Sequence, residues 1–577
     1  MQVSNKNSCS TRNSLSMSEG LIIQILFALV LAFSTAENAI AQEKSSSERI
    51  GVSASKQTTL SLQDAVKMAL ENNRDIEIER LKVQLHDFKV RAAQGVYDPN
   101  LDVNLYYERQ TIPVTSLFSG GENGRLKSST FANSTTLTQR LPWQGASIEA
   151  TFENNRTTSD NIFNSLNPQF TNRMSFNFTQ PLFRNRKIDA PRHEIKVAKK
   201  RLDLSDSEFR QRVVEIISQV HRAYWDLVFA RRDQEIKRES VELARVQLES
   251  NQRKVEKGTL APLDVVSARV ELERRTDEAE AATEAIHRAE NALKTLLIQT
   301  TNDELWNSEI LPSEQSQIDS DSLMPYDEAI KLAFENRPEM EQYRLRKEIN
   351  KIDVEYYGNQ TRPQVDFIAG YAVTGFAGKE RTTTNPFLSS NDVLFNRVNQ
   401  LSQIAGLPVI APVLTESFPD RLTGGYGQSV ANLFRNNYHA WRIGVNINFS
   451  IRNRTAKANL GYALAERRQI DAQLERTQQA IEAEVRNALQ AIVVAHRRFD
   501  TARNSSVDAE LQHKGEQRKF EAGLSTNFLV LDRQNALSAA RGRELRALTD
   551  YNKAMVELQR VLSTTLSSNH ISIASSR

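Results

Sequence analysis

The chain of 577 residues holds a single cysteine, Cys9. A lone thiol excludes a disulfide framework and every cysteine-based metal site. The eight histidines are scattered, with no HExxH, GxSxG or phosphate-loop spacing. The glycine-rich stretch "GGYG" from Gly424 has no strand before it and no Lys-Ser/Thr pair after it. An enzyme is therefore not expected, nor a cofactor or a metal. The net charge of +3 gives no strongly basic face, which argues against nucleic acid. No run of ~20 consecutive apolar residues follows the N-terminal leader, so no membrane-spanning helix is expected. The only spanning structure left to such a chain is a closed β-barrel.

The leader has the parts of an export signal. Lys6 and Arg12 precede an apolar run from Leu21 to Phe33, and Ala39-Ile40-Ala41 supplies a small-residue cleavage site. Residues 1–41 are read as this signal, with the mature chain starting near Gln42 and without any thiol. Cys9 stands ahead of the apolar run, so lipid attachment at a processed cysteine is not indicated. The polar stretches 42–58 and 566–577 are expected to be disordered.

The rest of the chain is written twice. "QRKVEKGTLAPLDVV" from Gln252 returns as "QRKFEAGLSTNFLVL" from Gln517. "AVKMALENNR" from Ala65 aligns with "AIKLAFENRP" from Ala329, and the same frame brings "PNLD" at Pro99 onto "PQVD" at Pro363. "FRNR" at Phe183 then meets "IRNR" at Ile451. Two repeats follow, 59–320 and 323–565, each far longer than the ~20 to 50 residues of a solenoid unit. The chain is a pseudo-symmetric duplication.

Each repeat is expected to hold one helix too long for a globule, 188–257 and 455–522. At 1.5 Å per residue, about 70 residues make a rod of roughly 105 Å. Gly258 and Gly523 stand where these helices stop, suited to left-handed caps. Shorter helices follow at 262–300 and 526–564, with Pro262 in the first turn of one and Ser525 available to cap the other. Steps of three and four link Val265, Ala268, Leu272, Ala279, Ala282, Ile286, Ala289, Leu293 and Leu296, interrupted by Arg275. The second copy repeats them as Val530, Leu537, Ala540, Ala547, Tyr551, Ala554, Leu558 and Val561. Such a seam predicts coiled-coil packing with a left-handed supercoil. A third pair of helices, 61–96 and 325–360, would stack end to end with the short ones beside each long helix. The polar segment 301–322 would form an equatorial belt at the joint.

Between the helices, in 99–182 and 363–451, the period changes to two. Leu101, Val103, Leu105 and Tyr107 oppose Asp102, Asn104 and Glu108; Trp441, Ile443, Val445 and Ile447 oppose Gly444, Asn446 and Asn448. A soluble sandwich would show the same alternation. The small Asn, Ser, Thr and Gly of the polar faces instead suit a wet lumen, and the strands are too few for a sandwich. An additional hairpin in the first repeat, 134–141 and 146–152 around "PWQG", makes six strands per chain if it spans and four if it does not. Neither number reaches the eight of the smallest single-chain barrel, so the chain must oligomerise. Residues 109–129, 154–172 and 375–437 are read as outward loops.

The two copies of "A-[VI]-K-x-A-x-E-N", the "TQPLFRNR" junction and the glycine-centred tips resemble, in this order, the TolC-like outer-membrane efflux proteins. The resemblance runs from about Leu60 to Leu562. It implies an α+β membrane protein: a homotrimeric β-barrel in outer-membrane lipid, continuous with an α-helical coiled-coil tunnel in the periplasm. Such a channel is the passive exit duct of a tripartite efflux or type I secretion system, with a periplasmic adaptor and an inner-membrane transporter as partners. Three chains would give 12 or 18 strands. The resemblance places the docked adaptor at Lys257, Gly258 and Thr259 and at Ala522, Gly523 and Leu524. The family archetype closes its tunnel with Tyr, Arg and Asp contacts near the second tip. Here Phe520, Ser525 and Leu529 fall at those positions, and only Asp532 keeps a carboxylate. In a trimer, Asp264 and Asp532 would set six carboxylates near the periplasmic entrance, where they would attract cations. Asp264 also has a purely local reason to exist, since a helix's first turn favours an acid. The rival reading is a periplasmic coiled-coil adaptor or structural scaffold, which explains the heptads and tips but not the strands.

Overall fold

A computed structural model describes residues 56–114, 121, 123–314, 324–381, 386–410 and 418–572. The export signal and nearly all of the N-terminal stretch 42–58 lie outside the described residues, as do residues 573–577. The first repeat runs β1 (Gln57–Leu60), α1 (Leu62–Asn72), α2 (Arg74–Gln94), β2 (Asn100–Pro113), β3 (Arg125–Arg140), β4 (Ser147–Ser159), β5 (Leu166–Pro181), α3 (Ala190–Glu256), α4 (Pro262–Leu297) and β6 (Glu309–Pro312). The second runs α5 (Tyr326–Asn336), α6 (Pro338–Gln360), β7 (Gln364–Glu380), α7 (Pro386–Ile404), α8 (Tyr426–Phe434), β8 (His439–Asn448), α9 (Arg454–Glu521), α10 (Asn527–Val561) and α11 (Thr565–Ser568).

The chain divides into two compact units. In the smaller, β1 pairs with β6, and Lys56 meets Glu304 at 3.4 Å. Residues 57 and 58 are thus strand where the sequence predicts disorder, and 565–568 form a helical turn where a loose tail is expected from 566.

The larger unit holds the long helices and one sheet. The 67-residue α3 packs along α4 and α2 and also against α6 and α10; the 68-residue α9 packs along α10 and α6. In the second copy the seam is buried at Val530, Leu537, Ala540, Ala547, Tyr551, Leu558 and Val561 and half-buried at Ala554. In the first copy Arg275 itself enters the seam, 4% exposed, because Glu271 and Glu278 hold its guanidinium at 2.8 and 3.3 Å. Near the end of α4 the seam admits an ion pair, Glu290 with Lys294 at 2.7 Å, both fully buried. Arg231 of α3 stands 3.9 Å from the same carboxylate.

The helices expected over 61–96 and 325–360 are each broken after eleven residues. Asn73 leaves the helical region (φ −66°, ψ 126°), and its side chain accepts the N–H groups of Asp75 and Ile76, capping α2. At the matching position Arg337 takes the same backbone, and Pro338 starts α6. The residue before a proline is pushed out of the helical region, and Asn prefers a cap to a helix interior. The repeated "EN" motif therefore marks a break, which periodicity alone does not reveal.

At the strand-to-helix junctions the repeated "RNR" places Asn185 and Asn453 at φ 68° and 39°. Asn tolerates this left-handed turn better than most residues. In the first copy Asn185 accepts from Gln360 at 2.8 Å and donates its backbone N–H to Asn359 at 2.7 Å, so the turn is fixed against the other repeat.

Six strands form a single antiparallel sheet in the order β2-β3-β4-β5-β7-β8. One register row crosses it as Leu101, Leu137, Ala150, Phe176, Tyr371 and Trp441. The row one residue away crosses the opposite face as Asn100, Thr138, Glu149, Asn177, Gly370 and Arg442. The sheet is apolar on one side and polar on the other, and the additional hairpin belongs to it. The strands also run well into the segments expected as outward loops, reaching Pro113, Arg125, Ser159, Leu166 and Glu380. Alternation reports which face is dry. Where the polar pattern covers both faces it fades, yet backbone pairing continues, helped by hydroxyl pairs such as Thr130 with Thr157 at 3.3 Å. Within 375–437, α8 packs on the apolar side of β5 and β7. Buried Asn172 donates to Ser429, and a Cβ on Gly375 would lie 2.0 Å from the Ser429 carbonyl.

Replacing Lys294 with Met should cost about 3 kcal/mol, because it removes the nearest cation from a carboxylate buried in the helix interface. The double variant Lys294→Met, Glu290→Leu should recover most of that loss in thermal unfolding. Equal stability of single and double variants would show that the pair is not buried as described.

Candidate functional site

The two hairpin tips are built alike from the backbone upward. At the end of α3, Thr259 donates its N–H to the Lys254 carbonyl (2.9 Å) and Gly258 to that of Val255 (2.9 Å). At the end of α9, Leu524 donates to Lys519 (2.8 Å) and Gly523 to Phe520 (3.2 Å). This paired closure of the last turn needs a left-handed residue at its second position, and Gly258 and Gly523 supply it at φ 72° and 75°. An added Cβ would meet nothing within 4 Å at either glycine, so backbone conformation alone demands them.

The helices that follow start differently. Pro262 occupies the first turn of α4 with Asp264 beside it, half-buried. In the second copy Thr526, not Ser525, caps α10 by accepting the Leu529 N–H at 3.4 Å. The Ser525 hydroxyl instead donates to the Glu516 carboxylate, which this bond, joined by Lys519, holds below its ordinary pKa. One residue's slip moved the cap because Ser525 faces back along α9. Asp532 is exposed one turn into α10.

The two tips are held to each other. Lys254 sits over the Phe520 ring at 3.5 Å, a cation–π contact joining the last turns of α3 and α9. Behind it lies a buried amide cluster. The side-chain carbonyl of Asn527, at the start of α10, accepts from Gln247 (3.0 Å) and from Asn251 (2.9 Å) on α3. Asn251 is fully buried and Asn527 is 3% exposed. Farther along, Arg541 of α10 bridges Glu239 of α3 at 2.8 Å, and Arg274 of α4 reaches Asn535 of α10 at 2.7 Å. Phe520 stands at one of the positions where the sequence departs from the archetypal lock, and here it carries a different contact between the tips. The amide cluster escaped sequence reading. Its only signal is three amides, at 247, 251 and 527, on helix faces otherwise given to Ala and Val.

Around this polar pin, exposed apolar side chains stand among charged ones. Leu263, Leu524 and Phe528 are 72%, 79% and 75% exposed within a few residues of the glycines. Among the described residues no group of acids, histidines or cysteines could hold a metal ion, and no helix is long and apolar enough to cross a membrane. The arrangement presents two adjacent turns, each closed by paired backbone hydrogen bonds.

Gly258→Ala and Gly523→Ala should each destabilise the local turn by about 1–2 kcal/mol through backbone strain. Amide hydrogen exchange in the last turn of α3 or α9 should then quicken roughly 5- to 30-fold. Asn527→Ala should cost about 1 kcal/mol by removing the acceptor that Gln247 and Asn251 share, which leaves them only the Asn251 side-chain carbonyl and the Asp264 carbonyl, speeding exchange at the ends of both α3 and α10. Exchange changed at only one of those helices would contradict the coupling of the tips.

The geometry of paired hairpins and a two-faced sheet has close parallels. The profile of the family described as outer membrane efflux protein matches residues 65–297 and 421–564. A membrane protein from Pseudomonas aeruginosa shares the fold at a TM-score of 0.59 and 17% identity, over 87% of this chain and 93% of that one. The CmeC outer membrane channel of Campylobacter jejuni does so at 0.59 and 14%, over 89% and 90%. The outer membrane protein VceC of Vibrio cholerae does so at 0.56 and 14%, over 87% and 95%. No curated protein matches the chain. Members of the family are transport proteins of the outer membrane, not enzymes, with a helical tunnel in the periplasm. The sheet is the membrane part, the helices are the tunnel wall, and the chain belongs to the outer membrane efflux protein family.

Proposed function

We propose that three copies of this chain form a passive exit duct through the outer membrane. An inner-membrane pump would deliver cargo to it through a periplasmic adaptor seated on Lys257, Gly258 and Thr259 and on Ala522, Gly523 and Leu524. Channels of this family are homotrimeric and work with such partners. The observation that carries the reading is the sheet: among the described residues, six strands with one apolar and one polar face, and with no strand beyond β2 or β8. An open edge of this kind is forbidden in lipid, so the sheet becomes a membrane channel only when copies join. A scaffold or adaptor has no use for such a face.

The tips suit docking for two reasons. Their turns are locked by backbone hydrogen bonds and by the Lys254–Phe520 contact, so little conformational entropy is lost on binding. The exposed Leu263, Leu524 and Phe528 provide apolar anchors. Asp264 and Asp532 lie just beyond the tips and would give the periplasmic entrance a preference for cations.

Leu263→Asp combined with Leu524→Asp should abolish photo-crosslinking between a benzophenone residue at Phe528 and the adaptor, while leaving the trimer and its insertion intact. Unchanged crosslinking would place the adaptor elsewhere. Asp264→Asn with Asp532→Asn should reduce cation over anion selectivity in single-channel recordings severalfold. Unaltered selectivity would return both residues to local roles, Asp264 to its helix terminus.

A further inference from the structure

The unequal strand numbers of the two repeats bear on the size of the channel. β7 follows the same motif as β2, and β8 leads into the same "RNR" turn as β5, so the first repeat contains one hairpin more than the second. That hairpin, β3–β4, is not an appendage. It lies between β2 and β5, paired with both through 14 and 11 register partners, so the sheet is continuous only through it. Its turn is also fastened to the helix junction. Gly145 adopts φ 73°, and a Cβ there would come within 2.8 Å of the Asn185 carbonyl. Gln180 donates to the Gln144 carbonyl at 3.0 Å, and Arg186 to the Gln144 side chain at 3.2 Å. Its outward residues continue the apolar row of their neighbours, Leu137 and Ala150 between Leu101 and Phe176.

The sheet's edges show what they await. Every residue of β2 is exposed, as are nine of the ten in β8, whereas the strands between them are largely half-buried. Soluble proteins guard such edges with lysines, prolines or short strands. β8 has neither lysine nor proline, and β2 has only Pro113 at its end. With an even number of strands, β2 and β8 run antiparallel, so β8 of one copy meets β2 of another in the same alternation as every pair within the sheet. The apolar residues of the two edges, Leu101, Val103 and Leu105 against Ile443, Val445 and Ile447, would then share one face.

Resting on the trimeric reading above, we propose that β8 of each chain pairs with β2 of the next and that three chains close an 18-stranded barrel, widened by the β3–β4 hairpin. With strands ~4.8 Å apart and tilted ~40°, 18 strands enclose a cylinder about 35 Å across between backbones, against about 24 Å for 12. At this width a barrel holds an aqueous channel. The limit on cargo size then falls to parts of the duct other than the barrel wall.

The test uses the full chain with Cys9→Ser. Ile443→Cys is combined in turn with Leu101→Cys, Val103→Cys or Leu105→Cys, and membranes are oxidised. At least one register should yield covalent trimers on a denaturing gel, and the control pair Ile443→Cys with Ala150→Cys should yield none. Independently, electron cryomicroscopy of the unsubstituted protein should show 18 strands and a wall about 35 Å across within the detergent belt. A trimer with a 12-stranded wall about 24 Å across, or one that crosslinks only through the control pair, would overturn the 18-stranded barrel and leave the exit duct standing. Absence of any trimer or detergent belt would overturn the duct itself.

Discussion

A strand edge in hydrocarbon leaves a row of N–H and C=O groups with no partner, at several kcal/mol for each group. Everything else in this molecule follows from how it meets that cost. The sheet presents Leu101, Tyr371 and Trp441 on one face and Asn100, Gly370 and Arg442 on the other, so it is made for a boundary between lipid and water. Among the described residues no strand pairs with the outer side of β2 or β8. The chain therefore carries a part of a wall, and its completion is left to further copies.

The helices are arranged to make those copies alike and rigid. Duplication gives each chain two long helices, each flanked by shorter ones, and the two halves are laced along α3 and α10 by Arg222 with Glu557, Lys553 with Asp226, and Arg541 with Glu239. The lacing ends at the tips in the amide cluster of Gln247, Asn251 and Asn527, where water is excluded and every unmade hydrogen bond is costly. Departures from symmetry sit where the halves have different tasks. The first repeat spends its insertion on a hairpin inside the sheet, and the second on α7 and on α8, which packs against β5 and β7.

Much of this was legible in the sequence because the signals are periodic. Heptad steps from Val530 to Val561 located a buried seam, and alternation around Leu101 and Trp441 located the strands and their faces. The tip glycines were legible because φ near 70° admits few other residues. Periodicity was silent where one residue decides. Asn73 and Pro338 break helices whose pattern runs on, and Thr526 rather than Ser525 caps α10. Strand ends beyond the apolar band were read as loops, since two wet faces leave no alternation to see. The amide cluster and the buried Glu290–Lys294 pair depend on partners 4 to 280 residues away and on which helix faces meet, which no local pattern records.

The central claim is that the sheet enters lipid only as part of an assembly of three chains. The most direct measurement is the mass of the protein extracted from purified outer membranes in mild detergent, by light scattering that separates protein from detergent. Three chains carrying a detergent belt is the predicted result. A monomer or dimer that stays in solution without detergent would contradict it, because the apolar row from Leu101 to Trp441 would then never face a membrane.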